Sequence, residues 1–144
     1  MRSIKDKAAA VKKTPEHARD GITGPRGIRR LIAATRDSLS GLGVAWRSEE
    51  AFRLEIILAV VLFPAALWIG STAMERLLLV GTIILVLIVE LLNTAVEYTV
   101  DRIGTGRHHL SGGAKDLASA AVFLSVLLAA GVWGISIWSR FFSS

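Results

Sequence analysis

Three long apolar runs limit what this chain can fold into. They cover residues 51–70, 77–100 and 117–138, and the last one contains no charged residue. A helix rises about 1.5 Å per residue, so each run can cross a hydrocarbon core about 30 Å thick. Hydrophobic residues make up 52% of only 144 positions, and the mean hydropathy of +0.52 is too high for an ordinary small soluble domain. The sequence therefore predicts an all-α membrane protein with transmembrane helices over residues 51–70, 76–103 and 113–139.

The basic residues are concentrated ahead of the first apolar run. Twelve of the seventeen Lys and Arg lie at or before Arg53. This bias is typical of a segment at the cytoplasmic leaflet, and it favours a membrane surface over nucleic acid as the partner. Residues 1–26 have scattered charge and no sustained apolar period, so we expect a flexible basic tail ahead of a membrane domain covering residues 27–144.

Residues 27–47 carry the pattern of an amphipathic helix that lies on the membrane surface. Its charged and hydroxyl side chains occupy the side opposite to the apolar one. This helix either only anchors the protein in the headgroup region or also forms one wall of a lipid-facing site. The apolar side chains at helical spacing are Ile28, Leu31, Ile32, Leu39, Leu42 and Trp46.

The loops between the apolar runs predict an orientation. The loop before the third run holds Arg102, Arg107 and Lys115, whereas the loop before the second run has Arg76 beside Glu75. Basic loops stay on the cytoplasmic side of a membrane. We therefore expect a multi-pass protein whose amino terminus and basic loop are cytoplasmic and whose carboxy terminus lies outside.

Four polar side chains fall on one stripe of the second transmembrane helix. Glu90, Asn93, Glu97 and Asp101 share a helical face, because each residue turns the helix by about 100°. A carboxylate inside a bilayer is costly, so a stripe of this kind indicates a metal, proton, substrate or partner. With the predicted orientation, Glu90 lies deepest and Asp101 reaches the cytoplasmic headgroups.

The chemistry of the stripe suits a hard cation that bridges phosphates. Mg²⁺ is usually held by one or two carboxylates together with the oxygens of its substrate. Glu49 at the same interface could supply another ligand, and Lys115 could neutralise phosphate charge. Desolvation raises the pKa of a deeply buried carboxylate. A deep carboxylate such as Glu90 is therefore better suited to accepting a proton from a hydroxyl than to binding a metal. The alternative is that the stripe only joins helices in an oligomer.

Two segments carry a specific pattern of acidic, small and basic residues. They are E-L-L-N-T-A-V-E-Y-T-V-D-R-I-G at residues 90–104 and H-x-L-S-G-x-A-K-D-x-x-S-A-A-V at residues 108–122. Both resemble the small integral-membrane diacylglycerol kinases of bacteria. The stretch A-W-R-S-E-E-A-F-R-L-E at residues 45–55 is similar to that family's entry into its first span. The resemblance covers roughly residues 27–138.

The resemblance implies a fold and an activity. Each subunit of a homotrimeric helical bundle would have one amphipathic surface helix and three transmembrane helices. With Mg²⁺ as cofactor, the enzyme would transfer the γ-phosphoryl group of ATP to diacylglycerol, giving phosphatidic acid and ADP. The expected location is the bacterial inner membrane, with the active site on the cytoplasmic side.

The resemblance also implies roles for individual residues. Glu90 looks like the general base for the lipid hydroxyl, supported by Asn93, and Glu49 and Glu97 look like the metal ligands. The implied nucleotide contacts are Arg30, Asp37, Glu49, Glu97, Asp101, Gly106, Arg107, His108, Lys115 and Asp116. The implied lipid contacts are Arg30, Ala34, Ser38, Trp46, Glu55, Glu90 and Ser119. The chain departs from the family's usual residues at Asp37, Leu39, Gly106 and His109.

Two other functions remain open on the sequence alone. A kinase acting on a polyprenol such as undecaprenol would share the catalytic residues, although the 108–116 segment is closer to the diacylglycerol branch. A small ion-conducting or scaffolding oligomer would use the stripe for permeation or packing. Such an oligomer has no need for Lys115 or Glu49 at the inner interface.

Overall fold

A computed structural model describes residues 27–103 and 108–142. These residues form four helices, α1 (Ile28–Ser48), α2 (Glu50–Ile69), α3 (Ala73–Ile103) and α4 (His109–Phe142). The last three are each long and apolar enough to cross a membrane. The predicted all-α membrane fold is therefore confirmed. The tail predicted for residues 1–26 lies outside the described residues.

The chain divides into two compact units, Met1–Ser40 and Gly41–Ser144. In the first unit, the described residues belong to α1, and its apolar side chains Ile28, Leu31 and Leu39 are 65–77% exposed. An exposed apolar face on a helix with charged residues opposite is typical of a helix that lies in a membrane interface. In the second unit, α3 packs most extensively against α4, less against α2, and α2 makes few contacts with α4.

The buried core of the second unit lies next to the turn between α2 and α3. Ala66, Ile69 and Leu79 are 0%, 7% and 0% exposed, and Val132 and Trp133 of α4 pack against them. Small and branched side chains at this point allow the three helices to approach closely. This buried cluster therefore lies at the end of the helices away from the polar stripe.

The turn at residues 70–72 ends in a capping box that starts α3. The Thr72 hydroxyl accepts a hydrogen bond from the Glu75 N–H at 3.1 Å, and the Glu75 carboxylate accepts from the Ser71 and Thr72 N–H groups at 2.7 and 3.2 Å. These bonds satisfy amides that have no partner within the helix. Because of this cap, α3 begins at Ala73, three residues ahead of the predicted start at residue 76.

The start of α4 also differs from the prediction. The sequence predicts a transmembrane helix from residue 113, just after Gly112, and glycines such as Gly112 and Gly113 disfavour helix. The structure starts α4 at His109, and the Gly112 N–H already donates to the His108 carbonyl at 3.0 Å. Tertiary packing against α3 outweighs the weak helix propensity of the glycines, and the basic segment between the helices is shorter than expected.

Gly70 is expected to be intolerant of any side chain. A Cβ atom at this position would lie 2.6 Å from the Arg76 Cγ and 3.0 Å from both the Ala66 carbonyl oxygen and the Arg76 nitrogen. Arg76 cannot move away freely, because its Nε donates to the Gly70 carbonyl at 2.9 Å. Gly70→Ala should therefore destabilise the protein by about 1–3 kcal/mol. The measurement is the midpoint of thermal unfolding in detergent micelles.

Gly81→Ala is the matched control for this substitution. A Cβ atom at Gly81 meets nothing within 4 Å, and alanine favours the helix interior over glycine. The Gly81→Ala variant should unfold at the same temperature as the unsubstituted protein or at a higher one. Equal midpoints for Gly70→Ala and the unsubstituted protein would contradict the steric argument.

Candidate active site

Glu90 is the central residue of the site. It lies on α3 with only 5% of its surface exposed, although the helix around it is apolar. The carboxylates of Glu97 and Glu49 are close enough for their charges to act on Glu90, and Glu90 in turn acts on Glu55. Glu49, Glu55 and Glu97 therefore lie within electrostatic reach of Glu90, and these four carboxylates form the acidic cluster.

Asn93 and Glu97 form the next level of the stripe. The Asn93 side-chain amide donates to Glu97 Oε1 at 3.3 Å, while the amide oxygen of Asn93 is buried and accepts no hydrogen bond from the described residues. A buried acceptor without a donor is unfavourable unless a ligand satisfies it. Beside an acidic cluster, a cation or a hydroxyl group would be a suitable partner for this oxygen.

Glu49 occupies the single extended residue between α1 and α2. Its backbone angles are φ −107° and ψ 116°, and its side chain makes no capping hydrogen bond to α2. A side chain at the N-cap can accept a hydrogen bond from the first N–H groups of the helix, and because Glu49 does not, its carboxylate is available for another partner. Glu49 and Glu97 are therefore two available carboxylates on different elements, and their role as metal ligands stays a prediction.

The carboxylates of the site supply only some of the ligands that Mg²⁺ needs, and a substrate would have to supply the others. Among residues 27–103 and 108–142, no group of three or more His, Asp or Glu side chains is placed to hold a metal ion by itself. Two carboxylates with open positions are the usual arrangement for Mg²⁺ that is shared with substrate phosphates. The residues present are therefore compatible with a metal that arrives with a nucleotide.

Asp101 and Lys115 form an ion pair at the carboxy-terminal end of the stripe. Lys115 Nζ lies 2.6 Å from Asp101 Oδ1, and the two side chains are 36% and 59% exposed. An exposed pair of this kind contributes little to stability. The pair joins the end of α3 to the start of α4, and the ammonium group of Lys115 lies within electrostatic reach of Glu97. Asp101 thus pairs with Lys115.

A groove lies along α2, α3 and α4, and Glu55 is one of the residues that line it. It has a volume of about 360 Å³ and is almost entirely apolar, with Leu58, Ile83 and Val126 among its lining residues. Trp133 also lines the groove, and Glu55 Oε2 and Trp133 Nε1 are buried without a hydrogen-bond partner in the described part of the chain. An almost entirely apolar groove suits the apolar part of a ligand.

The other predicted site residues lie at exposed positions. In the unit Gly41–Ser144, Trp46 is 45% exposed, and His108, Asp116 and Ser119 are also exposed. In the unit Met1–Ser40, the four predicted positions are exposed on α1, where the Ser38 hydroxyl donates to the Ala34 carbonyl at 2.9 Å. The predicted positions in that unit are Arg30, Ala34, Asp37 and Ser38. Gly106 and Arg107 fall in the segment between the two described ranges.

Sequence reasoning missed three residues that surround Glu49. The Tyr98 hydroxyl donates to the Ser48 hydroxyl at 2.5 Å, and Arg53 Nη1 donates to the Trp46 and Arg47 carbonyls at 3.3 and 3.4 Å. One signal for Tyr98 was available, because it is the only tyrosine of the chain and directly follows Glu97. No sequence pattern indicated that Tyr98 meets Ser48.

Comparison with known proteins finds relatives that match most of the chain. The family model for prokaryotic diacylglycerol kinase matches residues 36–137. The chain is 48% identical over 108 residues to a diacylglycerol kinase of Haemophilus influenzae, covering 75% of this chain and 92% of the relative. It is 47% identical over 115 residues to the diacylglycerol kinase of Escherichia coli K12, covering 80% and 94%. A Pseudomonas aeruginosa relative with the same name is 44% identical over 110 residues, covering 76% and 89%.

The matched region contains the whole acidic cluster, the Asp101–Lys115 pair and the apolar helices apart from the last five residues of α4. Its relatives are matched over about nine-tenths of their own length. The protein is therefore a membrane-embedded kinase, and the chain belongs to the prokaryotic diacylglycerol kinase family.

Proposed function

We propose that the protein transfers the γ-phosphoryl group of Mg·ATP to the free hydroxyl of diacylglycerol, giving phosphatidic acid and ADP. The observation that carries the proposal is the nearly buried Glu90 within an apolar helix, with Glu97 and Glu49 near it. A buried carboxylate in a membrane helix is a candidate for proton transfer. The relatives named diacylglycerol kinase support this lipid as the acceptor.

The two substrates would reach the site from different sides. Diacylglycerol would keep its acyl chains in the hydrocarbon region, where the groove beside Glu55 offers apolar surface. ATP is charged and would approach from the water-exposed end, where Lys115 and Asp101 lie. Glu90 stands between these regions on α3, so the lipid hydroxyl and the γ-phosphate would meet next to its carboxylate.

The chemistry needs one proton transfer and one displacement at phosphorus. The Glu90 carboxylate would accept the proton of the lipid hydroxyl while that oxygen bonds to the γ-phosphorus. The bond between the γ-phosphorus and the bridging oxygen of the β-phosphate breaks, and ADP leaves. Asn93 would orient the reacting groups through its buried amide oxygen. Alignment and charge neutralisation dominate such a reaction.

We assign Mg²⁺ to Glu49 and Glu97, together with oxygens of the ATP phosphates. The Glu97 carboxylate is already oriented by Asn93, and the Glu49 carboxylate is not used to cap α2. When bound, the metal neutralises phosphate charge. Lys115 would add a positive charge when the phosphates displace Asp101 from it.

The remaining contacts of the two substrates follow from the family resemblance. Two of the lipid positions, Trp46 and Ser119, lie exposed in the unit Gly41–Ser144, where a lipid could reach them. The proposed nucleotide contacts beyond the acidic cluster are Arg30, Asp37, Gly106, Arg107, His108 and Asp116. The proposed lipid contacts beyond Glu55 and Glu90 are Arg30, Ala34, Ser38, Trp46 and Ser119.

The working unit would be a homotrimer in the bacterial inner membrane, with the active site on the cytoplasmic side. Along the most apolar stretch of α4, only 6% of the residues are buried within one chain. Three helices give little room to shield an acidic cluster from lipid, so neighbouring copies would complete the enclosure. The excess of basic residues before Arg53 supports the cytoplasmic orientation.

The acceptor can be tested directly with the purified full-length protein. In mixed micelles containing Mg²⁺ and ATP labelled at the γ-phosphate, we expect label in phosphatidic acid when diacylglycerol is supplied. Undecaprenol is the parallel arm of the experiment. Label in undecaprenol alone would mean that the acceptor is a polyprenol and not diacylglycerol. If folded protein labels neither lipid, the proposed function is contradicted.

A further inference from the structure

The junction between α1 and α2 holds Glu49 by its backbone. The Glu49 N–H donates to the Ala45 carbonyl at 2.9 Å, and the Glu49 carbonyl accepts from the Arg53 N–H at 3.3 Å. Ala45 and Phe52, which flank the junction, are each only 2% exposed. The backbone of Glu49 is therefore fixed within its own segment, but these contacts do not fix the segment relative to α3.

A side-chain hydrogen bond connects the junction to α3. The Tyr98 hydroxyl donates a hydrogen bond to Ser48 Oγ at 2.5 Å, and the Ser48 hydroxyl in turn donates to the Val44 carbonyl at 2.9 Å. Ser48 directly precedes Glu49, and Tyr98 directly follows Glu97. The bond thus joins the immediate neighbours of the two carboxylates proposed to bind the metal, from positions 50 residues apart in the chain.

Burial of the tyrosine ring does not explain why this residue is present. Tyr98 is 46% exposed, so its ring contributes little to the apolar core of the described residues. The hydroxyl is the part of the side chain that reaches another element. Two carboxylates repel each other in the absence of a cation, and a hydrogen bond beside them opposes their separation.

We propose that Tyr98 is a positioning residue that sets the spacing of Glu49 and Glu97 for a divalent cation. This inference rests on the proposed metal site. In this role Tyr98 acts through its bond to Ser48 and needs no contact with the metal or the substrates. Its contribution is to hold the two carboxylates at a fixed separation before the cation arrives, which lowers the cost of binding. Loss of the hydroxyl therefore weakens cation binding and leaves the chemical step unchanged.

The test is Tyr98→Phe in the full-length protein, which removes the hydroxyl and keeps the ring. Mn²⁺ would serve as a spectroscopic substitute for Mg²⁺, and its binding would be followed by electron paramagnetic resonance with a non-hydrolysable ATP analogue present. We expect Mn²⁺ to bind about two- to tenfold more weakly, as expected for one neutral hydrogen bond. The Mg²⁺ concentration for half-maximal activity should rise by the same factor, with an unchanged kcat at saturating Mg²⁺.

Two further variants separate positioning from a general loss of structure. Thr99→Val removes the hydroxyl next to Tyr98, which only bonds within α3 to the Ala95 carbonyl at 2.8 Å, so Mn²⁺ affinity should not change. Ser48→Ala should match Tyr98→Phe, and the double variant should bind no more weakly than either single one, because both remove the same bond. Unchanged Mn²⁺ affinity in Tyr98→Phe and Ser48→Ala, or fully additive losses in the double variant, would overturn the inference.

Glu97→Gln in the same titration distinguishes this inference from the proposed function. Weaker Mn²⁺ binding in Glu97→Gln together with unchanged binding in Tyr98→Phe would reject the positioning role alone. Unchanged binding in Glu97→Gln would reject the metal site, and the positioning role with it. Weaker binding in both variants, with Thr99→Val unaffected, is the expected result.

Discussion

Replacing Glu90 by glutamine is expected to abolish turnover while ATP still binds. Glutamine keeps the size of the side chain at this nearly buried position, so the helix packing around it should survive. It cannot accept the proton of a lipid hydroxyl, and a general base contributes about 10²–10⁴ to the rate. We therefore expect kcat to fall by at least about 100-fold. The measurements are the rate of phosphatidic acid formation and the equilibrium binding of an ATP analogue.

Glu75→Gln is the control for Glu90→Gln, because it removes a carboxylate from the opposite end of the same helix. The Glu75 side chain only caps α3, and glutamine can accept the same hydrogen bonds from Ser71 and Thr72. This variant should keep the rate of the unsubstituted protein. A Glu90→Gln variant with an unchanged rate would remove Glu90 as the proposed base.

Replacing Glu97 by glutamine is expected to weaken binding of Mg·ATP. The substitution keeps an oxygen that can accept from Asn93, but it removes one negative charge from the proposed cation site. Hard cations prefer charged oxygen ligands, and disturbing a metal's surroundings typically costs about 10- to 100-fold in affinity. We expect the Mg²⁺ concentration for half-maximal activity to rise at least about tenfold. An activity titration with Mg²⁺ at fixed ATP measures this change.

Glu50→Gln provides the comparison for the metal site. Glu50 directly follows Glu49 but belongs to the first turn of α2, where its side chain is exposed. Removing this charge tests whether any nearby glutamate supports cation binding. Glu50→Gln should require the same Mg²⁺ concentration as the unsubstituted protein. An equal shift for Glu50→Gln and Glu97→Gln would mean that general surface charge, and not the proposed ligand pair, attracts the cation.

The helices and the stripe were predictable from the sequence because both follow from local periodicity. A membrane segment must satisfy its backbone hydrogen bonds internally, so an apolar run of sufficient length can only be a helix here. Once a helix is assumed, the spacing of Glu90, Asn93 and Glu97 determines that they share a face. The capping box of Thr72 and Glu75 is equally local, and its pattern could have moved the predicted start of α3 to the observed one.

Contacts between distant segments could not be predicted in the same way. No spacing in the sequence indicated a side-chain partner for Asp101, and the structure pairs Asp101 with Lys115 of the next helix. Nothing in the spacing of residues indicated that Glu55 and Trp133 would line one groove, because they belong to helices that meet only after folding. Side-chain pairing between helices depends on their rotation and depth, which local periodicity does not specify.

The sequence by itself determined that this protein is an all-α membrane protein with an acidic stripe on its second long helix, since hydropathy and helical period are local properties. Only the tertiary structure decided which groups the stripe meets. It placed Glu49 and Glu55 near Glu90, and it joined Tyr98 to Ser48. The physical reason is that a single apolar helix already shows that burying a carboxylate costs free energy. The groups that offset this cost lie on other segments, which only packing brings to the carboxylate.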